Sequence, residues 1–520
     1  MQGHAVASEA RAETDAAIYP ERLEPANPVR VRTRRRARTL PEESKLTIRF
    51  GTDGWRAVIS DTFTFANLRL VAQAIADYVL EEGTDQPEVI IGFDTRFLSD
   101  RYAAEVARVL AGNGIVAHLT RADAPTPAIS YAVIHKKATA GVMITASHNP
   151  PRYNGLKLKA DFGGAALPEQ AEHVEAYLTR NQERARWPNV MDYDTAIAQD
   201  LIRRFDPAWA YYEHLGSLID LDLVSARELR VVADAMYGSG RKCIADMLAR
   251  TRCRVVEIRG EMNPGFGGIH PEPVAHYLSA LAAAIQAHHA DVGLATDGDG
   301  DRLGAMDGLG NFVDPHHIFG LALRHLVEER GWRGTVVKSI STTRMVDRLA
   351  SKYELPLIET PVGFNHIADH MLNDDVLIGG EESGGLSIKG HIPEGDGVLM
   401  GLLLLEVLAS AECPLYDLVE GLQSDVGPAH YARRDMPLTA PVTKRKMVER
   451  LLDQAPDALA GETVEQVDTL DGVKYLLADD SWLLIRPSGT EPVLRVYAEG
   501  REPEMVEALL AYGEEVAEVK

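Results

Sequence analysis

The feature that most narrows the fold is an order of segments that recurs three times along the 520 residues. Each copy opens on a short apolar run: Val89-Ile90-Ile91, Val231-Val232 or Val336-Val337. Each continues through a polar loop and a helix-spaced stretch into a second apolar run. Short, continuous apolar runs are the pattern of strands buried on both faces. In the first copy Val89 to Asp94 reads as a strand, Tyr102 to Leu110 as a helix and Ile115 to Leu119 as a second strand. The second copy spans Leu229 to Ile258 and the third Thr335 to Glu359. Copies spaced about a domain apart predict three related α/β domains, not a short-period solenoid. A different order follows. A helix near Lys444 to Leu452 precedes strands at Trp482 to Ile485 and Val493 to Ala498, and a closing helix starts near Pro503. That order predicts a smaller α+β domain. The expected division is a tail at 1–45 and domains at 46–200, 201–310, 311–425 and 426–520, with the charged stretch 181–207 as the first linker.

Composition excludes several classes. Hydrophobic content of 45% and charged content of 25% suit cores in several domains. A net charge of -23 disfavours a general nucleic-acid binder. An anionic ligand must then be captured by local arginines and backbone N–H groups. Cys243, Cys253 and Cys413 form no CxxC pair, which argues for a reducing, cytoplasmic setting and against a disulfide framework or a cysteine zinc site. No apolar run reaches the ~20 residues of a membrane span. The most apolar stretch, Val398 to Leu408, contains Glu406 and reads as a core helix. Residues 1–45 carry Arg30, Arg32, Arg34, Arg35, Arg36 and Arg38 and lack the apolar centre of a secretory signal. They read as a disordered tail or a basic docking arm.

Four loops concentrate the polar chemistry. Thr145-Ala146-Ser147-His148-Asn149-Pro150 presents one hydroxyl, Ser147, on a loop whose exit is stiffened by Pro150 and Pro151. There is no GxSxG elbow, so acyl transfer is not indicated. Asp297, Asp299 and Asp301 sit at i, i+2 and i+4, where extended backbone aims three carboxylates to one side. Such a cluster repels itself unless a cation intervenes, and hard oxygens select Mg²⁺ or Ca²⁺. An EF-hand fails, because Arg302 and Gly308 stand where it needs Gly and Glu. Glu381 and Ser383 lie among Gly379, Gly380, Gly384 and Gly385, a carboxylate and a hydroxyl with little bulk around them, which suits a sugar diol. Arg486, Ser488, Gly489, Thr490 and Arg495 combine guanidinium, hydroxyl and glycine N–H donors suited to a phosphate dianion.

In this order the four loops resemble the α-D-phosphohexomutase family, which includes phosphoglucomutases and phosphomannomutases. The resemblance runs from about Leu46 to the C-terminus. It implies three related α/β domains with mixed sheets plus a smaller C-terminal α+β domain around a central cleft, each lending one loop. It implies a phosphoserine at Ser147, with Ser147, Asp297, Asp299 and Asp301 holding Mg²⁺, and glucose 1,6-bisphosphate as activator. Arg56 and Lys157 match residues close to the family's serine, and His391 is a further acid–base candidate. Glu381, Ser383, Thr360, Gly363 and Arg302 become sugar ligands. The sequence Gly-Glu-Glu-Ser resembles the phosphoglucomutase version of the sugar loop. The implied enzyme interconverts glucose 1-phosphate and glucose 6-phosphate as a monomer or homodimer, with a small sugar phosphate as its partner and no nucleic acid or membrane. Two other readings remain: a phosphomannomutase or bispecific form, and a non-catalytic sugar-phosphate-binding protein.

Overall fold

The computed structural model describes residues 48–50, 54–83, 86–437, 444–487 and 493–517. The expected tail, 1–45, lies outside the described residues.

All three apolar runs form interior strands of a sheet. Glu88–Phe93 lies between Val116–Thr120 and Ala140–Ile144, parallel to both, and Ala140–Ile144 pairs antiparallel with Tyr153–Lys159. Arg230–Asp234 lies likewise between Arg254–Ile258 and Val292–Thr296, and the latter pairs antiparallel with Leu303–Asp307. Thr335–Ser339 lies between Leu357–Thr360 and Val376–Gly380, and the latter pairs antiparallel with Leu386–Ile388. One mixed four-strand unit is thus used three times. The strand that opens each unit is covered on both faces, which is why it reads as an unbroken apolar run. The connection from third to fourth strand also recurs three times. It carries Ser147 in the first unit, Asp297 to Asp301 in the second, and Glu381 and Ser383 in the third. Each such turn follows the carboxyl end of a parallel strand, where open α/β sheets bind their ligands.

The helix signals hold in the same way. Leu68, Val71, Ile75 and Val79 are buried along the helix Phe65–Glu81, which Thr64 caps through the Asn67 N–H at 3.2 Å. The apolar stretch around Glu406 is the core helix Gly397–Ala411. It belongs to one hydrophobic cluster that joins Leu294 and Leu303 of the second unit to Leu377 and Leu386 of the third. Glu406 tolerates burial because it accepts from His325 Nε2 at 2.9 Å and Arg330 Nε at 2.8 Å. Among the described residues no single helix is long and apolar enough to cross a membrane.

The first sheet extends past the boundary expected at 200. Ile202–Phe205 pairs with Val116–Thr120, and Ile202 is buried. The stretch 181–207, read as a linker, holds this strand and the short helix Tyr193–Ala198. Its many charges face outward and mask the few apolar residues that fix it.

The last domain is a six-stranded antiparallel sheet running from His430–Pro437 through Val493–Gly500, Trp482–Pro487, Val473–Leu477 and Glu462–Asp468 to Ala458–Leu459. Leu483, Ile485 and Val496 share a cluster with Val506 and Leu509 of the helix Pro503–Ala517. Trp482, Leu484 and Tyr497, on the other face, pack with Ile340 of the third unit. Lys474 Nζ donates to the Ile340 carbonyl at 2.8 Å across the same join.

Candidate active site

The serine loop turns back on itself at Ser147, which is 1% exposed and has φ of 49°. That left-handed conformation is unfavourable by order 1 kcal/mol for a residue with a side chain, so its surroundings must hold it. The Ser147 N–H donates to Thr145 Oγ1 at 2.8 Å. Its Oγ donates to Asp297 Oδ2 at 2.8 Å and stands 3.4 Å from His148 Nδ1. Arg56 Nη1 donates to Asn149 Oδ1 at 2.8 Å.

The acidic loop of the second unit meets this serine directly. A Cβ at Gly298 would lie 2.4 Å from the Ser147 carbonyl oxygen, so only glycine allows the approach. Asp297 Oδ1 accepts from the N–H groups of Asp301 at 3.1 Å and Arg302 at 3.3 Å, which winds the turn. Asp297, Asp299 and Asp301 bring three ligand atoms within 4.8 Å of one another. Lys157 Nζ, from Tyr153–Lys159 of the first unit, stands 2.9 Å from Asp299 Oδ2 and 2.7 Å from Asp301 Oδ2. Thr126 Oγ1 donates to Asp299 Oδ2 at 2.7 Å. Burial, with Asp301 and Asp299 alongside, pushes the Asp297 carboxyl well above the carboxylate range. Burial also works to raise Asp299, but Lys157 and the Thr126 hydroxyl outweigh it and hold that group low. Asp299 Oδ1 is buried without a hydrogen-bond partner among the described residues. An unpartnered buried oxygen, an all-oxygen donor set and mutual repulsion fit a small hard divalent cation such as Mg²⁺.

A cavity of about 490 Å³ opens beside these loops and is lined from all four domains. The first unit contributes Arg56, His148 and Asn149, the second Glu272, Asp301 and Arg302. Gly363, Glu381, Ser383 and Gly385 come from the third, Arg433 and Arg495 from the last. Glu381 Oε1 accepts the Gly363 N–H at 2.8 Å. Burial, then the neighbouring Glu382, push the Glu381 pKa up to about 7. Asp435 orients both arginines of the last domain, with Arg433 Nε at 3.0 Å and Arg495 Nε at 3.7 Å. Burial and the charges of Arg302, Arg56, Arg433 and Arg495 hold the His148 imidazole well below its ordinary pKa. A neutral histidine ringed by arginines marks a place prepared for an anion.

Three expected residues stand elsewhere. Thr360 is buried and its hydroxyl donates to the Pro361 carbonyl at 3.1 Å, so it does not line the cleft. His391 corrects its expected acid–base place. Its side chain is fully buried, with Nε2 3.0 Å from Asp396 Oδ2 and Nδ1 3.0 Å from His214 Nε2. Both nitrogens are turned into the protein behind the cleft. Arg486 is buried with Nε 3.0 Å from Asp471 Oδ2 and is not among the described residues lining the cavity. Ser488, Gly489 and Thr490 lie outside the described residues. Sequence reasoning passed over His148, Arg433, Thr126 and Arg96. Arg433 carried a signal: on an exposed strand Arg433 and Arg434 must face opposite sides. Arg434 does pair with Glu514 at 2.8 Å, away from the cleft.

Known proteins match the whole described arrangement. The four domains of a family described as phosphoglucomutase/phosphomannomutase match in order: alpha/beta/alpha domain I at 47–185, domain II at 209–310, domain III at 314–425 and the C-terminal domain at 440–515. A Thermococcus kodakarensis phosphoglucomutase/phosphomannomutase is 29% identical over 89% of this chain and 97% of its own. A Heliobacterium modesticaldum phosphoglucosamine mutase is 31% identical over 88% of this chain and 96% of its own. A solved structure from Thermus thermophilus, described as a candidate phosphomannomutase, superposes with a TM-score of 0.78 at 35% identity, covering 91% of this chain and 99% of that one.

Proposed function

This chain belongs to the phosphoglucomutase/phosphomannomutase family of phosphohexomutases, and we propose that it interconverts glucose 1-phosphate and glucose 6-phosphate. The observation that carries the reading is one cleft in which Asp301, from the acidic loop beside Ser147, faces a sugar-reading carboxylate, Glu381, and two arginines, Arg433 and Arg495. Relatives include glucose, mannose and glucosamine mutases, so the glucose assignment rests on the Gly380-Glu381-Glu382-Ser383 loop.

Ser147 Oγ carries the phosphoryl group. Asp297, Asp299 and Asp301 would hold Mg²⁺ next to it, and the bound ion would neutralise charge on the phosphoryl oxygens. A free hydroxyl of the sugar attacks phosphorus as the bond to Ser147 Oγ breaks. The hydroxyl loses one proton and Ser147 Oγ gains one, so the step is neutral overall: the proton released by the hydroxyl restores the group that protonates the departing oxygen. Lys157, its ammonium lodged between Asp299 and Asp301, is the donor we assign to the departing Ser147 oxygen. Arg302 and Arg56 flank the reacting group from two units. Arg433 and Arg495, with Ser488, Gly489 and Thr490, grip the phosphate that is not reacting. Glu381 and Ser383 read the ring hydroxyls, so the glucose 1,6-bisphosphate can turn over and present its other phosphate. Burial of Ser147 at 1% exposure keeps water from competing for the phosphoryl group.

The deciding assay offers glucose, mannose and glucosamine 1-phosphates side by side with Mg²⁺ and glucose 1,6-bisphosphate. Highest kcat/KM on glucose 1-phosphate is expected. A larger value on glucosamine 1-phosphate would overturn the glucose assignment.

A further inference from the structure

Arg96 does not line the cleft, yet it holds the backbone around the serine. Its side chain is wholly buried. Nη1 donates to the carbonyls of Pro150 at 3.0 Å and Tyr153 at 3.1 Å. Nη2 donates to the carbonyls of Asn149 at 2.7 Å and of Ser147. Nε stands 3.1 Å from Asp94 Oδ2, and the guanidinium lies over the Phe266 ring of the second unit, 4.9 Å from its centre. One cation therefore gathers four carbonyls of the turn that displays Ser147.

Asp94 reaches the same serine by a second route. Its Oδ2 accepts from Thr145 Oγ1 at 2.7 Å, and its Oδ1 from Ser99 Oγ at 2.8 Å and the Arg96 N–H at 2.9 Å. Thr145 Oγ1 in turn accepts the Ser147 N–H. The N–H and the carbonyl of Ser147 are both fixed, on either side of a backbone at φ 49°. A planar fork of five N–H donors can serve this many carbonyls, whereas an ammonium with three cannot. Burying a charge is tolerated only when it is paired and hydrogen-bonded, as Arg96 is by Asp94 and the four carbonyls. The four carbonyls that Arg96 binds here lie between residues 147 and 153.

We infer that Arg96, acting with Asp94 and Thr145, is a positioning residue for phosphoryl transfer. It keeps Ser147 in the left-handed conformation that sets Oγ against Asp297, and it does so without touching the sugar phosphate. The inference rests on Ser147 as the phosphoryl carrier. A misplaced Oγ slows transfer but leaves the sugar loop and the cleft arginines as they were. The effect must then fall on kcat and not on KM, and a displacement near 1 Å lowers rate by about 10²-fold.

The experiment compares Arg96→Lys, Thr145→Val and Thr145→Ser with the unaltered enzyme. It measures kcat and KM on whichever hexose 1-phosphate the unaltered enzyme turns over best. It also follows, by intact mass, how fast Ser147 takes phosphate from glucose 1,6-bisphosphate. Arg96→Lys and Thr145→Val are expected to lower kcat about 10²-fold with KM within about threefold, and to slow Ser147 phosphorylation in step. Thr145→Ser keeps the hydroxyl and should stay within about threefold of the unaltered enzyme. If Arg96→Lys fails to fold, the two Thr145 variants decide. Equal kcat in Thr145→Val and Thr145→Ser, or a KM rise that accounts for the loss, would overturn the inference. An unaltered enzyme that never carries phosphate on Ser147 would remove the serine assignment and this inference together, a result visible before any variant is made.

Discussion

The serine loop and the sugar loop are the same connection in two copies of one unit, and they are held in opposite ways. In the first unit, side chains fix the backbone: Thr145 takes the Ser147 N–H, and Arg96 takes four carbonyls. The reactive residue ends up 1% exposed. In the third unit, backbone fixes backbone. The Leu303 N–H donates to the Gly384 carbonyl at 3.1 Å, and Gly384, at φ 94°, would put a Cβ 2.6 Å from the Leu303 carbonyl oxygen. The side chains of Glu381 and Ser383 stay half-buried and face the cleft. A loop that must present one atom at one point uses side-chain ties. A loop that must grip a ring in two orientations keeps its side chains on the cleft, with one oxygen of Glu381 steadied by the Gly363 N–H. Changes in the first should therefore abolish chemistry, and changes in the third should weaken recognition.

The largest effect is expected at the serine. Ser147→Ala should fold, bind sugar phosphate and lose about 10⁴-fold or more in kcat, as loss of a nucleophile does. Steady-state kinetics and a mass measurement for phosphate on the unaltered Ser147 check this. Activity near that of the unaltered enzyme would erase the distinction between the loops. Next comes Asp299→Asn, which removes one charge from the hard-oxygen cluster. Chelation with EDTA should abolish turnover and Mg²⁺ restore it. The variant should need more Mg²⁺ for half-maximal rate, by about 10-fold or more, as one ligand's charge leaves. Full turnover in metal-free protein would refute the assignment.

What was legible in the sequence differs from residue to residue. The apolar runs at Val89, Val231 and Val336 sit on central strands because strands covered on both faces have no polar side to show. The i, i+2, i+4 aspartates come together because the turn between two short strands leaves them nowhere else to go. Arg96 was illegible. An arginine after a strand, in Asp94-Thr95-Arg96, looks like a solvated loop residue until residues 147 to 153 fold back over it. His391 misled for the same reason. A histidine near a glycine-rich stretch looks available, but Asp396 and His214 claim both its nitrogens.

The sugar loop should show a smaller, graded effect. Glucose and mannose differ only at the 2-hydroxyl, so Glu381→Ala should harm both activities in similar proportion, about 10- to 150-fold for a charge-assisted hydrogen bond. Loss of glucose activity alone would mean that Glu381 reads the 2-position. On the arginine side, Arg495→Ala should weaken glucose 1-phosphate and glucose 6-phosphate alike, by about 10-fold. Calorimetry in the Ser147→Ala background measures this without turnover. A loss confined to one ligand would break the idea of one grip for both orientations.

The smallest effect concerns what lies behind the third-unit loop. His214 is stacked between Tyr131, at 4.3 Å, and His391, at 5.1 Å, and its pKa is pushed down to about 4 by burial first and His391 second, against a smaller pull from Asp396. The unfolded chain takes up this proton near its ordinary pKa of 6.5, whereas the folded protein resists until about 4. Neutral His214 therefore contributes stability above pH 6.5 that is lost as pH falls from 6.5 towards 4. His214 is only partly buried, so solvent screening reduces the contribution to roughly 1 kcal/mol. The segment it supports backs the sugar loop and the acidic loop: a Cβ at Gly395 would lie 2.9 Å from Gly385 Cα and 2.9 Å from the Asp301 carbonyl oxygen. Lowering the pH from 7 to 5 should thus lower the melting temperature of the unaltered protein by about 1 °C more than that of His214→Gln. Hydrogen exchange at pH 5 should open residues 381–396 before residues 145–153, because only the former pack directly on His214, through His391. Equal opening of both stretches would show that the two loops are held by one common scaffold after all.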